Sequence, residues 1–310
     1  MTAAGALPLV SVIVPVYQGA ACVGRALDAL AAQTLAPQLE ILVVDDASSD
    51  DSAGVVRAWQ RRHPGIALTL IGMARNQGPG VARNKALAQA RAPYVAFLDA
   101  DDTCVPHRIE HQVRVLEAEP ALGCVGSWYR MLGAGGQILA ERRPRLAPVD
   151  MAWLSLVHSP FLLSTLVTRR ALCGETLFPA RYKGEDGPAQ RGLLWQAPGA
   201  FVEEVLVGYQ TVPGRACDPR MAQALAEDLA PLIGSLSPAE AWEVMEAVLA
   251  FPHTVSARTI PVVRRVLALG CAFRRVRPAW VSRDQASAVY DRLLDLAAPF
   301  IDEGGAALFD

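Results

Sequence analysis

The stretch YVAFLDADDTCVP, Tyr94 to Pro106, begins as a buried strand and ends as the start of a helix. Between the two lie three acids, Asp99, Asp101 and Asp102. Tyr94 to Leu98 is an unbroken apolar run, which fits a strand covered on both faces. Pro106 fits the first turn of the segment that follows, HRIEHQVRVLEAEP, where a missing N–H costs nothing, and Pro120 closes that helix. Like charges gathered at the end of a buried strand repel one another, so something must neutralise them.

Upstream, the same strand-then-helix pattern repeats. LVSVIVPV and LEILVVDD are continuous apolar runs rich in β-branched residues, and IALTLIGM is a third strand. AACVGRALDALAAQ has helical spacing, Asp50, Asp51 and Ser52 offer N-cap groups to AGVVRAWQRRH, and GPGVARNKALAQARA carries Pro79 near its start. This βαβαβαβ order predicts an α/β fold, a Rossmann-like and mostly parallel sheet flanked by helices. In such sheets ligands bind beyond the carboxyl ends of the strands. Asp45, Asp46, Asp99, Asp101 and Asp102 all fall at such ends.

The second half changes character. GCVGSWYRML and GQILAERR read as antiparallel strands around the turn GAGG, with FLLSTLVTRR and AFVEEVLVGYQ as two more. From Pro213 the pattern turns helical, in RMAQALAEDLAPLIGSL, PAEAWEVMEAVLAF, ARTIPVVRRVLALG and RDQASAVYDRLLDLAAPF. The expected organisation is an α/β domain over 1–212, split into halves 1–105 and 106–212, and a helical C-terminal extension over 213–310. The extension either packs on the sheet domain or forms a small unit of its own.

The chain of 310 residues is 52% apolar, enough for a sizeable core, and its net charge of −2 gives no basic field for nucleic acid. Six scattered cysteines form no CxxC pair, which fits reduced thiols in a cytoplasmic protein. The apolar N-terminus has no Lys or Arg ahead of it, and Pro8 and Pro15 interrupt it, so it reads as a first strand and not a signal peptide. No uncharged run reaches the ~18 residues of a membrane span.

A cluster made of carboxylates alone favours a hard cation, Mg²⁺ or Mn²⁺, over zinc. Mg²⁺ takes one or two carboxylates and fills its shell with phosphate oxygens and water, which points to a metal–diphosphate ligand. A lone D-x-D more often caps a helix or ends a strand. A second acidic pair at the matching place in the same sheet shifts the balance toward a ligand site.

In order and spacing, VSVIVPVYQGAACVGRALDALAAQ, EILVVDDASSDDS, NQGPGVARNKAL and YVAFLDADD together resemble the family 2 glycosyltransferases. The resemblance runs on through SPFLLSTLVTRRAL, GEDGPAQRGLL and VGYQ, about residues 9–210, and leaves the last hundred unmatched. It implies the GT-A fold and an inverting transfer of one sugar from a nucleotide diphosphate-sugar. It also implies roles for matching positions. Pro15 and Tyr17 form the wall of a nucleobase pocket, and Asp46 accepts a uracil-type N–H, which favours a uridine donor. Arg83 and Asn84 line the diphosphate and sugar side. Asp99 faces the ribose or sugar and shares with Asp101 the binding of Mn²⁺ or Mg²⁺, Asp102 being a weaker second candidate. Each has a bland rival: Tyr17 as a strand-end aromatic, Arg83 as a solvated helix residue, Asn84 as a local cap.

Inverting transfer needs a carboxylate opposite the leaving group to take the acceptor's proton. The resemblance places it in GEDGPAQRGLLW, with Asp186 as base and Glu185 as its support. Three departures from the family pattern stand out: the GP after that pair, and Gln18 and Gln210 where Asn and Arg are more usual. QRGLLW has the wrong spacing for the Q-x-x-R-W signature of processive members, so single-sugar addition is the better reading.

Rival readings are a catalytically degenerate GT-A protein serving as a nucleotide-sugar-binding or partner module, and a sugar nucleotidyltransferase. The intact DADD and ED oppose the first, and the absence of a Gly-rich, Lys-bearing loop after the first strand opposes the second. HRIEH also fits the H-x-x-E-H pattern of some zinc proteases, but a solvated helix face is the commoner meaning. The basic stretch RRVLALGCAFRRVRPAWVSR, with Phe273 and Trp280, reads either as a contact with anionic lipid or a lipid-linked acceptor, or as a helix face with packing aromatics. The expected location is cytoplasmic, with peripheral contact at the inner face of the membrane left open. The acceptor, be it a glycan, a lipid-linked glycan, a small molecule or a peptide, cannot be read.

Overall fold

The computed structural model describes residues 7–211, 219–249 and 260–302. Strands β1 (Val10–Val16), β2 (Leu39–Asp45), β3 (Ala67–Gly72) and β4 (Tyr94–Phe97) lie in the order β3-β2-β1-β4, all parallel. Val12, Ile13 and Val14 of β1 are fully buried, each contributing about 1.5–3 kcal/mol by leaving water. The helices α1 (Val23–Ala31), α2 (Ser52–Arg62) and α3 (Pro79–Leu87) make the crossovers. Val23, Ala26, Leu27 and Leu30 fall on one face of α1, and all four are buried, so Leu27→Ala would cost about 2–5 kcal/mol. The order reverses at β1, with β2 and β3 to one side and β4 to the other. That reversal opens a crevice beyond the carboxyl ends of β1 and β4.

The chain continues through β5 (Thr103–Cys104), α4 (Arg108–Ala118), β6 (Cys124–Leu132), β7 (Ile138–Arg142), α5 (Pro148–Leu154), β8 (Val167–Arg169), α6 (Asp186–Leu194) and β9 (Gly199–Gln210). Past β4 the sheet runs β8-β6-β9-β5, with β7 also paired to β6. β8 is antiparallel to β4 and β6, β9 runs parallel to β6, and β5 is antiparallel to β9. The β6–β7 hairpin forms around GAGG as read from the sequence. FLLSTLVTRR is less of a strand than expected: Leu163–Thr165 is a 3₁₀ turn and only Val167–Arg169 pairs. α4 begins at Arg108, two residues beyond Pro106.

Among the described residues after β9 there are four helices: α7 (Pro219–Ile233), α8 (Pro238–Leu249), α9 (Ile260–Val276) and α10 (Arg283–Asp302). They share a core with α5, where Trp153 meets Phe273 edge-on at 5.7 Å between ring centroids. The Trp280 indole N–H donates to the Leu194 carbonyl at 2.9 Å, so this layer is fastened to α6. Phe273 is fully buried and Trp280 half-buried, so both aromatics of the basic stretch are spent on packing. The expected boundary at 212/213 lies outside the described residues. Among the described residues no helix is long and apolar enough to cross a membrane.

Candidate functional site

The β1–α1 and β2–α2 loops form one rim of the crevice. Pro15 is half-buried in β1, and Tyr17, just past the strand end, is 53% exposed. Gln18 takes a left-handed backbone, φ 51°. Its side-chain carbonyl accepts the Ser49 and Asp50 N–H groups at 3.0 and 3.1 Å, and its amide donates to Ser49 Oγ at 2.8 Å. Gln18 therefore clasps the neighbouring loop and fixes the backbone beside Tyr17.

Asp46 is buried, and each of its oxygens accepts a backbone N–H, from Gln77 at 2.9 Å and Gly78 at 2.8 Å. Burial raises its pKa and these two bonds oppose the rise. Each oxygen keeps a second lone pair for another donor. Asp46 thus ties the end of β2 to the start of α3. Gly78 sits there at φ 89°, a conformation that favours glycine. A side chain at Gly80 would meet the Pro179 carbonyl at 3.0 Å and Glu185 Cγ at 3.2 Å, so the GPG turn lets α3 lie close against the 179–185 segment.

Arg83 lies on the buried face of α3 with Gly80, Ala86 and Leu87, and is 3% exposed. Its guanidinium reaches Asp99 Oδ1 at 2.8 Å, Glu185 Oε1 at 2.9 Å and Asp186 Oδ1 at 3.2 Å. Burial works against its charge, but the three carboxylates outweigh it and hold the pKa above the ordinary arginine range. It is not the solvated helix residue of the bland reading. Asn84 faces a different partner. Its amide N–H donates to the Phe178 carbonyl at 2.7 Å and its oxygen accepts the Phe178 N–H at 3.0 Å, so it holds the segment leading to Glu185 against α3.

The three acids after β4 occupy distinct environments. Asp99 is about one-third exposed, and its backbone N–H donates to Ser164 Oγ at 3.0 Å. Asp101 is half-buried. Asp102 is fully buried: Oδ1 accepts the Gln210 N–H at 2.8 Å and Oδ2 has no hydrogen-bond partner. Burial, then Asp99, pushes its pKa well above the usual carboxylate range, which favours the protonated acid. Beneath them the buried Arg108 donates to the Phe97 carbonyl at 3.0 Å and to Gln112 at 3.1 Å. No three donor groups among these acids converge within 4.8 Å, whereas His107, His111 and Glu204 do.

Glu185 sits at the N-cap of α6 and Asp186 is its first residue, where a helix N-terminus favours a carboxylate. Pro188 falls within the first turn, so the GP departure is accommodated without losing a helical hydrogen bond. Glu185 is 6% exposed, while the Asp186 side chain is 38% exposed. Part of the Asp186 carboxyl is packed away from water against Arg83 and Glu185, and that desolvation pushes its pKa up to about 7, with Arg83 opposing and Glu185 and Asp99 adding to the rise.

Arg83 thus gathers Asp99, Glu185 and Asp186 around one guanidinium, while Pro15, Tyr17 and Asp46 stand at the ends of β1 and β2. Sequence reasoning missed the Ser164 and Gln210 anchors, which are backbone-directed and leave no pattern. It also missed that Arg83 shares the helical stripe of Gly80, Ala86 and Leu87, a spacing that marks it as inward-facing.

The sheet order and its flanking helices match GT-A structures, and Arg83 holds Asp99, Glu185 and Asp186 together. Residues 11–162 match the model of glycosyl transferase family 2, and this segment is a family 2 glycosyltransferase domain. An uncharacterized glycosyltransferase of Methanocaldococcus jannaschii is 31% identical over 44% of this chain and 47% of its own length. The chain spans less than half the length of this and other curated relatives it matches. S. aureus TarS 1–349, solved in complex with UDP-GlcNAc, superposes with a TM-score of 0.61 at 18% identity, over 95% of this chain and 92% of that one. The mannosyltransferase PcManGT of Pyrobaculum calidifontis, in complex with GDP-Man and Mn²⁺, gives 0.56 at 25% identity over 95% and 87%.

Proposed function

We propose that the chain is a non-processive, inverting glycosyltransferase that moves one sugar from a nucleotide diphosphate-sugar, a uridine donor favoured, to an acceptor of unassigned class. The observation that carries this reading is the Arg83 bridge between Asp99, at the donor crevice, and the Glu185–Asp186 pair. It fixes a donor-side carboxylate and a candidate base in one electrostatic unit.

In this reading the 1–212 segment is the catalytic domain, and helices α7 to α10 back its acceptor half. Tyr17 offers a ring to the base, Pro15 packs beside it, and Asp46 orders the turn at Gly78 and accepts one further N–H from the base. Arg83 and Asn84 set the α3 wall.

Asp99 and Asp101 suit a hard divalent cation, Mn²⁺ or Mg²⁺, because they offer only carboxylate oxygens. Fewer than three donor groups converge there, so diphosphate oxygens and water must complete the shell. Such a cation, when bound, offsets charge on the departing diphosphate. Asp186 takes the proton of the attacking hydroxyl, its pKa of about 7 matching a base poised near neutrality. Glu185 stays paired with Arg83 and keeps the guanidinium in place.

The test is a panel of nucleotide-sugars with purified protein, following nucleotide diphosphate release with and without Mn²⁺. Metal-dependent release from one donor class is expected. Tight donor binding with no turnover across acceptors would leave a binding module instead.

A further inference from the structure

The two histidines of HRIEH are neither in the crevice nor simply solvated. His107, at the N-cap of α4, and His111, inside it, lie four residues apart and so share one face of the helix. Across from them stands Glu204 of β9. His111 Nδ1 is 3.2 Å from Glu204 Oε1 and His107 Nε2 is 3.7 Å from Glu204 Oε2, with the two rings 4.6 Å apart. The three donor groups lie within 4.8 Å of one another, the only such His/Cys/Asp/Glu trio among the described residues.

One donor atom from each of the three side chains can close on a single ion. Donors about 2.0–2.1 Å from a tetrahedral zinc stand roughly 3.3–3.4 Å from one another. His111 Nδ1 stands 3.2 Å from Glu204 Oε1, close to that value, while His107 faces the other oxygen at 3.7 Å, too long for a hydrogen bond. The neighbouring acids are committed elsewhere. Glu110 accepts from Thr34 and Arg114, and Glu203 from Arg145. That leaves Glu204 as the carboxylate directed at the histidine pair. Two imidazoles and one carboxylate suit zinc better than the hard cations that the crevice acids favour.

We propose that His107, His111 and Glu204 form a zinc site on the outer surface, with the fourth position open to water. It joins α4 to β9. β9 pairs with β5 through Thr103 and Cys104, directly after the acids, and lends Asp102 the Gln210 N–H. A metal there pins the strand and helix that flank the crevice acids, without being part of the crevice. The site is independent of the sugar-transfer reading.

The test uses the full chain, stripped with chelator and titrated with ZnCl₂ by calorimetry. Co²⁺ serves as an optical probe, since its four-coordinate complexes absorb strongly in the visible. One zinc per chain and a tetrahedral cobalt spectrum are expected. Both should persist in Asp101→Asn, which removes one of the two carboxylates proposed for the crevice cation. His111→Ala and Glu204→Gln should each weaken zinc by more than the ~10–100-fold typical of losing a group that only hydrogen-bonds a ligand. Added zinc should raise the thermal midpoint of the wild type and leave that of His107→Ala/His111→Ala unchanged. All three side chains are 30–49% exposed, so the variants should fold, which circular dichroism checks. Zinc that binds equally well to the histidine double variant, or is lost in Asp101→Asn, overturns the proposal, as does a wild type that takes up none.

Discussion

Arg83 and Glu185, 102 residues apart in the chain, are joined by an ion pair of 2.9 Å with both side chains nearly excluded from water. A buried charge is tolerated only when it is paired, and here one cation serves Asp99 and Asp186 as well. The pair is also the seam between α3, in the first half of the chain, and α6, in the second.

Removing Arg83 strands Glu185 without its counter-charge. Breaking a buried pair from one side costs about 3–5 kcal/mol. Arg83→Ala should therefore lower the urea midpoint and weaken donor binding together. Arg83→Lys keeps the charge but cannot reach three carboxylates with one planar fork, and should fall between. An Arg83→Ala protein with wild-type stability would show that the bridge carries no energy.

Asp101 lies at a strand end and outside the core, so Asp101→Asn should keep the fold. It should nearly abolish the Mn²⁺-dependent part of nucleotide-sugar binding, read by calorimetry with and without the ion. Unchanged metal-dependent binding would remove Asp101 from the cation site.

The reach of the sequence can be judged from particular segments. β1, β2 and β4 were legible because parallel strands buried on both faces must be continuously apolar, and the acids beyond them interrupt that run. α5 was not read, because it is seven residues long and its apolar face is matched by helices far along the chain, Trp153 against Phe273. The two acid motifs were legible as motifs. Their union was not, since nothing local to Arg83 announces partners at 185 and 186. His107 and His111 were read as a solvated face because Glu204, which they meet, sits on a strand 93 residues beyond His111.

Tyr17 tests the nucleobase pocket. A base–aromatic stack is worth about 1–3 kcal/mol, and each 1.4 kcal/mol is tenfold, so Tyr17→Ala should weaken binding by roughly 5–150-fold. Free nucleotide diphosphate and nucleotide-sugar should weaken alike, since both carry the base. Weakening of the sugar-bearing ligand alone would put Tyr17 at the sugar.

Asp186 separates binding from chemistry, and its pKa supplies a second readout. Its carboxyl is pushed up to about 7, chiefly by desolvation, so its ionisation falls within an accessible pH range. A base must be ionised, so kcat/KM should rise with pH and level off above about 7. Asp186→Asn keeps the shape and loses proton acceptance. Donor affinity should hardly change, while kcat should fall by the ~10²–10⁴-fold typical of a missing general base. Glu185→Gln should lose less, and it carries a signature of its own. Glu185 is one of the like charges that raise the Asp186 pKa, so its neutralisation should move the acid limb to lower pH. Full activity in both variants would place the base elsewhere, and an inactive Glu185→Gln beside a normal Asp186→Asn would move it one residue back.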